Sequence, residues 1–215
     1  MWDGLRIVVS TALVRRPMTV AVIDNFLYGY LVVAMVLLAE SALGGAHAVG
    51  WLNAALSIGA LAAMAVVNRL AAHSRPAPLL FAVMTVFAAA TGFAGVSPWV
   101  PVTVLLVAVA GAATLIAEVM SVTLLQRAAP DDQAARVFGV YDQLNVGAIA
   151  LGSLLAGPLA EQLGPDTAIV LVALCCGLAS VLATRAMRGG AGRHSVAATG
   201  RHSVGQRVAT HRRTA

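Results

Sequence analysis

The chain has 215 residues, of which 60% are hydrophobic and only 11% charged, and its mean hydropathy is +0.86. A soluble domain carries charge on about a quarter of its residues, so this composition excludes a soluble enzyme or carrier. All 14 basic residues are arginine, and seven of them lie in 185–215, a segment without an acid; residues 1–184 hold 7 arginines against all 9 acids, a net of −2. The basic character therefore belongs to a tail. That tail contains no aromatic residue, which argues against a nucleic-acid partner.

Residues 1–17 (MWDGLRIVVSTALVRRP) read as a cytoplasmic amphipathic linker on the membrane surface. The apolar stretch between Arg6 and Arg15 is too short for a signal peptide and ends in charge. Six apolar blocks follow at about 18–39, 48–68, 77–97, 100–125, 136–160 and 167–185, each close to the roughly 20 residues a membrane helix needs. They are rich in Ala, Gly, Leu and Val, and small residues let membrane helices approach closely. An open sheet cannot span lipid, because its edge groups would go unpaired, and the alternating ten-residue segments of a barrel are absent. The expected architecture is an all-α membrane protein with a six-helix transmembrane domain over 18–187. Residues 188–215 repeat GRHSV at 192–196 and 200–204 and lack the apolar content for a core, so a disordered basic cytoplasmic tail is expected, drawn to anionic lipid. Cys175 and Cys176 are adjacent inside an apolar block, with neither disulfide nor metal spacing. No metal and no cofactor are expected.

The connections alternate in charge. Arg6, Arg15 and Arg16 precede span one, Arg69 and Arg75 lie between two and three, Arg127 and Arg136 between four and five, and Arg185, Arg188 and the tail follow span six. The other connections carry Glu40, His47, Glu161 and Asp166 and no arginine. The positive-inside rule then places both termini in the cytoplasm. In the loop QRAAPDDQAAR (126–136), Pro130 stops one helix, Asp131 or Asp132 caps the next, and Arg127 and Arg136 anchor the interface.

Three acids fall inside spans: Asp24, Glu118 and Asp142. A charge there costs at least ~2.5–3.5 kcal/mol on insertion scales, so a functional role is the first reading. Counted from Pro17, Gln126 and Arg136 they lie 7, 8 and 6 residues deep, roughly 9–12 Å at the rise of a helix. Three carboxylates at one level suggest the lining of an aqueous inner vestibule, with Asn25, Tyr28 and Asn145 beside them and Thr114 and Ser121 at helical spacing from Glu118. The alternative for Glu118 or Asp142 is a structural pair with Arg127 or Arg136. No Gly-x-Ser-x-Gly, His-Glu-x-x-His or phosphate loop occurs, so no enzyme is expected.

The stretch TLLQRAAPDDQAARVFGVYDQLNVGAIALGSLLAGPLAEQLG (123–164) resembles the tenth-to-eleventh helix region of major facilitator superfamily transporters, most closely bacterial exporters of the drug-efflux or secretion-effector kind. The residues that carry the likeness are Leu124 to Arg127, Pro130, Asp131, Arg136, Phe138, Gly139, Gly152, Gly157 and Pro158. VGWLNAALSIGALAA (49–63) is similar to the start of that family's eighth helix, and residues 5–20 to the end of its central linker. The family has twelve helices in two halves; this chain corresponds to the C-terminal six, arranged as two inverted three-helix repeats. Gly50 and Gly59 of span two echo Gly139 and Gly147 of span five. The loop NRLAAHSR (68–75) has Asn68 and Arg69 where the family's loop motif has Asp-Arg, without its glycine and second basic pair.

The resemblance implies a half-length secondary transporter exporting small molecules with proton coupling. It would sit in the plasma or inner membrane and pair with a second six-helix half. The alternative is a non-transporting membrane protein, a remnant or an interaction subunit. Coupling-ion or substrate residues would be Asp24, Asn25, Tyr28, Glu118, Asp142 and Asn145. Arg69, Arg75, Arg127, Asp131 and Arg136 would gate or anchor the cytoplasmic loops. Cysteines placed at Gly45 and Gly164 should label from outside intact cells and one at Ala129 should not; labelling at Ala129 overturns the topology.

Overall fold

A computed structural model describes residues 12–42, 45–71, 76–129 and 133–183. These form six helices: α1 Ala12–Ala42, α2 Ala46–Ala71, α3 Pro76–Val96, α4 Val100–Ala128, α5 Ala134–Leu163 and α6 Pro165–Ala183. Each is long and apolar enough to cross a membrane, and the described residues contain no strand. Backbone groups in lipid must be satisfied within the segment, which a helix does and an open edge does not. Arg75, Asp131 and the tail from 184 onward lie outside the described residues.

Turn chemistry sets the helix ends. Gly45 has φ 105° between α1 and α2, and Gly164 has φ 81° between α5 and α6, a left-handed conformation that glycine adopts without a Cβ penalty. Proline opens α3 at Pro76, falls in the first turn of α4 at Pro101, and opens α6 at Pro165, positions whose missing N–H has no helical partner to lose. Because Gly45 and Gly164 are left-handed, the exposed His47 and Asp166 beside them are the sounder labelling positions.

The boundary read at residue 17 is not a break. α1 runs without interruption from Ala12 through the buried Pro17. Val14 is fully buried and packs in one cluster with Met18, Ala21, Leu125, Val137 and Tyr141. The extra turns cap the ends of α4 and α5, so apolar packing extends the helix past its proline.

α1 packs extensively on α5, α2 on α4 and α3 on α4. Three pairs, α1 with α5, α2 with α4 and α3 with α6, meet through glycines. In the first, a Cβ at Gly29 would meet the backbone of Ile149, and one at Gly152 the carbonyl of Phe26. The second repeats the arrangement, with Gly59 against the backbone of Ala108 and Gly111 against that of Leu56. In the third, Gly92 faces Ala173, Gly95 faces Ile169 and Gly177 faces Ala88. Exchanging the first three helices for the last three carries α1·α5 onto α4·α2 and α3·α6 onto itself, as two inverted repeats require. The structural counterpart of Gly59 is therefore Gly152. Gly147, its echo in sequence, has nothing within 4 Å, and neither does Gly50 or Gly139.

Charge divides the bundle by its ends. Arg15 and Arg16 of α1, Arg69 of α2, Arg127 of α4 and Arg136 of α5 share one end; Glu40, His47, Glu161 and Asp166 share the other. Alanine at Gly59 or Gly111 should cost about 1–3 kcal/mol, because backbone rather than a flexible side chain stands in the way. Alanine at Gly147 should be neutral or slightly stabilising. Thermal unfolding in mild detergent checks the contrast.

Candidate functional site

The polar residues of α1, α4 and α5 meet inside an otherwise apolar bundle. On α5 the buried face runs Val137, Tyr141, Asn145, Ala148, Gly152, Ala156, a stripe at steps of three and four residues that follows from helical periodicity. On α4, Thr114, Glu118 and Ser121 lie on one face by the same spacing. α1 supplies Asp24 and Asn25. The α1–α5 glycine crossing, one to two turns further on, brings these faces together.

Two short chains of hydrogen bonds result. The Thr114 hydroxyl donates to Asp24 Oδ2 at 3.0 Å. Glu118 accepts twice, from the Tyr141 hydroxyl on Oε1 at 3.0 Å and from Asn25 Nδ2 on Oε2 at 3.2 Å. Asn25 also donates to the Ala21 carbonyl, which fixes its amide. Both oxygens of Glu118 are thus held by neutral donors, which stabilise a carboxylate without cancelling its charge. Asp24 is 2% exposed and its Oδ1 has no partner among the described residues.

Beside the network lies a cavity of about 280 Å³ between α1, α2 and α4, with Asn25, Tyr28, Ser57, Thr114 and Glu118 as its polar lining. Leu56, Leu115 and Gly111 supply apolar wall and open space. A mostly apolar cavity with a few convergent polar groups is the usual form of a small-molecule site. Among the described residues no group of three or more His, Cys, Asp or Glu could hold a metal ion.

Of the residues singled out from sequence, Asp24, Asn25, Tyr28 and Glu118 come together, and Asn145 is buried on the adjoining face of α5. Asp142 does not join them. It is exposed, one residue off the buried stripe, and makes no hydrogen bond or ion pair with the described residues. Arg69, Arg127 and Arg136 are exposed at helix ends. Depth along the helix is therefore shared by the three acids, but direction is not. The residue that reading by depth overlooked is Tyr141, which ties α5 to Glu118. Its signal was the 137–141–145–148–152–156 periodicity, on which Tyr141 falls and Asp142 does not.

Tyr141→Phe removes a donor to the part-buried Glu118 carboxylate and should lower stability by about 1 kcal/mol, whereas Asp142→Asn should leave the unfolding temperature unchanged. Equal losses in the two variants would show Asp142 to be an anchor of the helix end.

A search of curated proteins and of solved structures finds no match. A family model does match, that of the Major Facilitator Superfamily, over residues 18–211. Together with six apolar membrane-length helices arranged as two inverted triplets, it shows that this multi-pass membrane protein belongs to the Major Facilitator Superfamily, a family of transporters.

Proposed function

We propose that the chain acts as one half of a secondary transporter that exports small molecules with proton coupling. A second six-helix half, from another polypeptide or a copy of this one, would complete it. The observation that carries this reading is the Asp24–Thr114 and Asn25–Glu118–Tyr141 network bordering an open-sided cavity in an apolar bundle. Ionisable groups inside a membrane domain are costly and are kept where they serve a pathway. Asn25, Tyr28, Thr114 and Glu118 would contact substrate, and Asp24 and Asn145 the coupling ion.

What the bundle leaves uncovered supports a second half. α2 and α5 are the least buried spans. They present Asn53 and Ser57 on one and Asp142 and Gln143 on the other, all exposed. Asn53 and Ser57 satisfy themselves against the carbonyls of Val49 and Asn53, but Asp142 does not and cannot be left against lipid. A facing half with water between the two would solvate it, which keeps Asp142 on the pathway while outside the network. The resemblance of 123–164 to bacterial drug-efflux exporters supports export. The arginine-bearing end, with Arg69, Arg75, Arg127, Asp131 and Arg136 as loop anchors or gates, would face the cytoplasm of the cell membrane.

The test is reconstitution. Purified gently, the active species should have a mass above that of one chain, and substrate flux driven by a pH gradient should be lost in Glu118→Gln with elution profile unchanged. Flux from a strictly monomeric sample, or full flux in Glu118→Gln, would overturn the reading and favour a non-transporting interaction subunit.

A further inference from the structure

Among the described residues, four buried side-chain oxygens lack a hydrogen-bond partner: Asp24 Oδ1, Thr91 Oγ1, Ser121 Oγ and Asn145 Oδ1. Three of these belong to the α1, α4 and α5 faces that form the site, which is an unusual concentration, since buried polar groups are nearly always paired.

Helix register shows which of them meet. α4 and α5 are antiparallel, and Tyr141 reaches Glu118. One turn further along α5 is Asn145; one turn back along α4, at the same level, is Thr114. Thr114 holds Asp24, so Asn145 shares its layer with Asp24. The other contact gives the same answer. α1 and α5 run parallel and touch at Gly29 and Ile149; Asp24 lies five residues before the first and Asn145 four before the second. Two acceptor oxygens, on side chains 2% and 7% exposed, therefore occupy one buried layer, and neither has a donor among the described residues.

The polar groups around that layer are Asn25 and Tyr28 from α1, Ser57 from α2, Thr114 and Glu118 from α4, and Tyr141 and Asn145 from α5. None is cationic, and the arginines of α1, α4 and α5 stand at the helix ends. The two carboxyl groups are also served unequally: Glu118 has a donor on each oxygen, whereas Asp24 has a donor on Oδ2 alone. Two neighbouring carboxyl groups in such different surroundings are suited to different roles.

We propose that Asp24 is the proton-carrying residue of this site, held as the neutral acid by donation from its Oδ1–H to Asn145 Oδ1. Glu118 is the partner that faces the cavity, with a donor on each of its oxygens. When water reaches the layer, Asp24 transfers its proton to that water. The Asn145 amide then turns about its last torsion and donates from Nδ2 to the carboxylate. The turn gives up the contact of the Asn145 amide with the Tyr141 hydroxyl, and the only covalent bond broken is the O–H bond of Asp24. Asn145 is the positioning residue: it offers an acceptor to one state of Asp24 and a donor to the other.

This deepens the transport reading by naming the coupling residue, but its test is made on the isolated chain and needs no flux. Infrared difference spectra of the purified protein in lipid nanodiscs, taken between alkaline and neutral buffer, should show the carboxylic-acid C=O stretch at neutral pH. The band should vanish in Asp24→Asn and persist in Glu118→Gln. In Asn145→Leu, where Asp24 is intact but its acceptor is gone, the band should move to the higher frequency of a free acid. Absence of the band at neutral pH, its loss in Glu118→Gln alone, or an unshifted band in Asn145→Leu would each overturn the proposal. So would a band that emerges only when sodium is replaced by choline, which would show an alkali cation between the two oxygens. A correctly placed band in a protein without flux would count against the transport reading and leave the assignment of Asp24 standing.

Discussion

Everything in this protein depends on helices being able to touch through their backbones. In lipid there is little hydrophobic gain from burying one leucine against another, so association rests on close packing and on interhelical polar contacts. Four glycines provide that closeness at two equivalent crossings, Gly29 and Gly152 between α1 and α5, Gly59 and Gly111 between α2 and α4. At each of them a Cβ would collide with backbone of the opposite helix. Ser153 adds a hydrogen bond from its hydroxyl to the Gly29 carbonyl at 2.9 Å across the first crossing.

The site is a consequence of these crossings. Bringing α1 against α5 places Asp24 and Asn25 within reach of the faces that carry Thr114, Glu118 and Tyr141, and short polar side chains can span the remaining gap. The same crossings leave α2 and α5 with outward polar residues, among them Asp142. The bundle therefore has a polar interior cluster around the buried Asp24 and Asn145, and polar positions on its two least covered helices.

The apolar clusters divide along similar lines. A large cluster fills the middle, built from all six helices, with α5 contributing Ala156, and with Tyr30, Phe87, Met35 and Met84 among its fully buried members. A smaller one, Val14, Met18, Leu125, Val137 and Tyr141 with their neighbours, seals the arginine-bearing end. Tyr141 belongs to this seal through its ring and to the polar site through its hydroxyl. Phe138 packs edge-on against it with ring centroids 6.3 Å apart. Motion at that end of α5 would therefore reach Glu118 directly.

The sequence by itself determined the number of helices, their membrane character and the grouping of arginines at alternate connections, because bilayer thickness and the price of a charge in lipid act on each segment separately. It also carried the family likeness around the 126–136 loop and the depth of Asp24, Glu118 and Asp142. What only the tertiary structure decided was direction around each helix and the pairing of helices. Depth follows from counting residues along a chain, but whether Asp142 or Asn145 faces the bundle depends on where α1 crosses α5. The equivalence of Gly59 with Gly152 rather than Gly147, and the bond from Tyr141 to Glu118, likewise appear only once distant segments touch. A local pattern specifies a helix face; which neighbour that face meets is set by the close fit of backbones that no single segment contains.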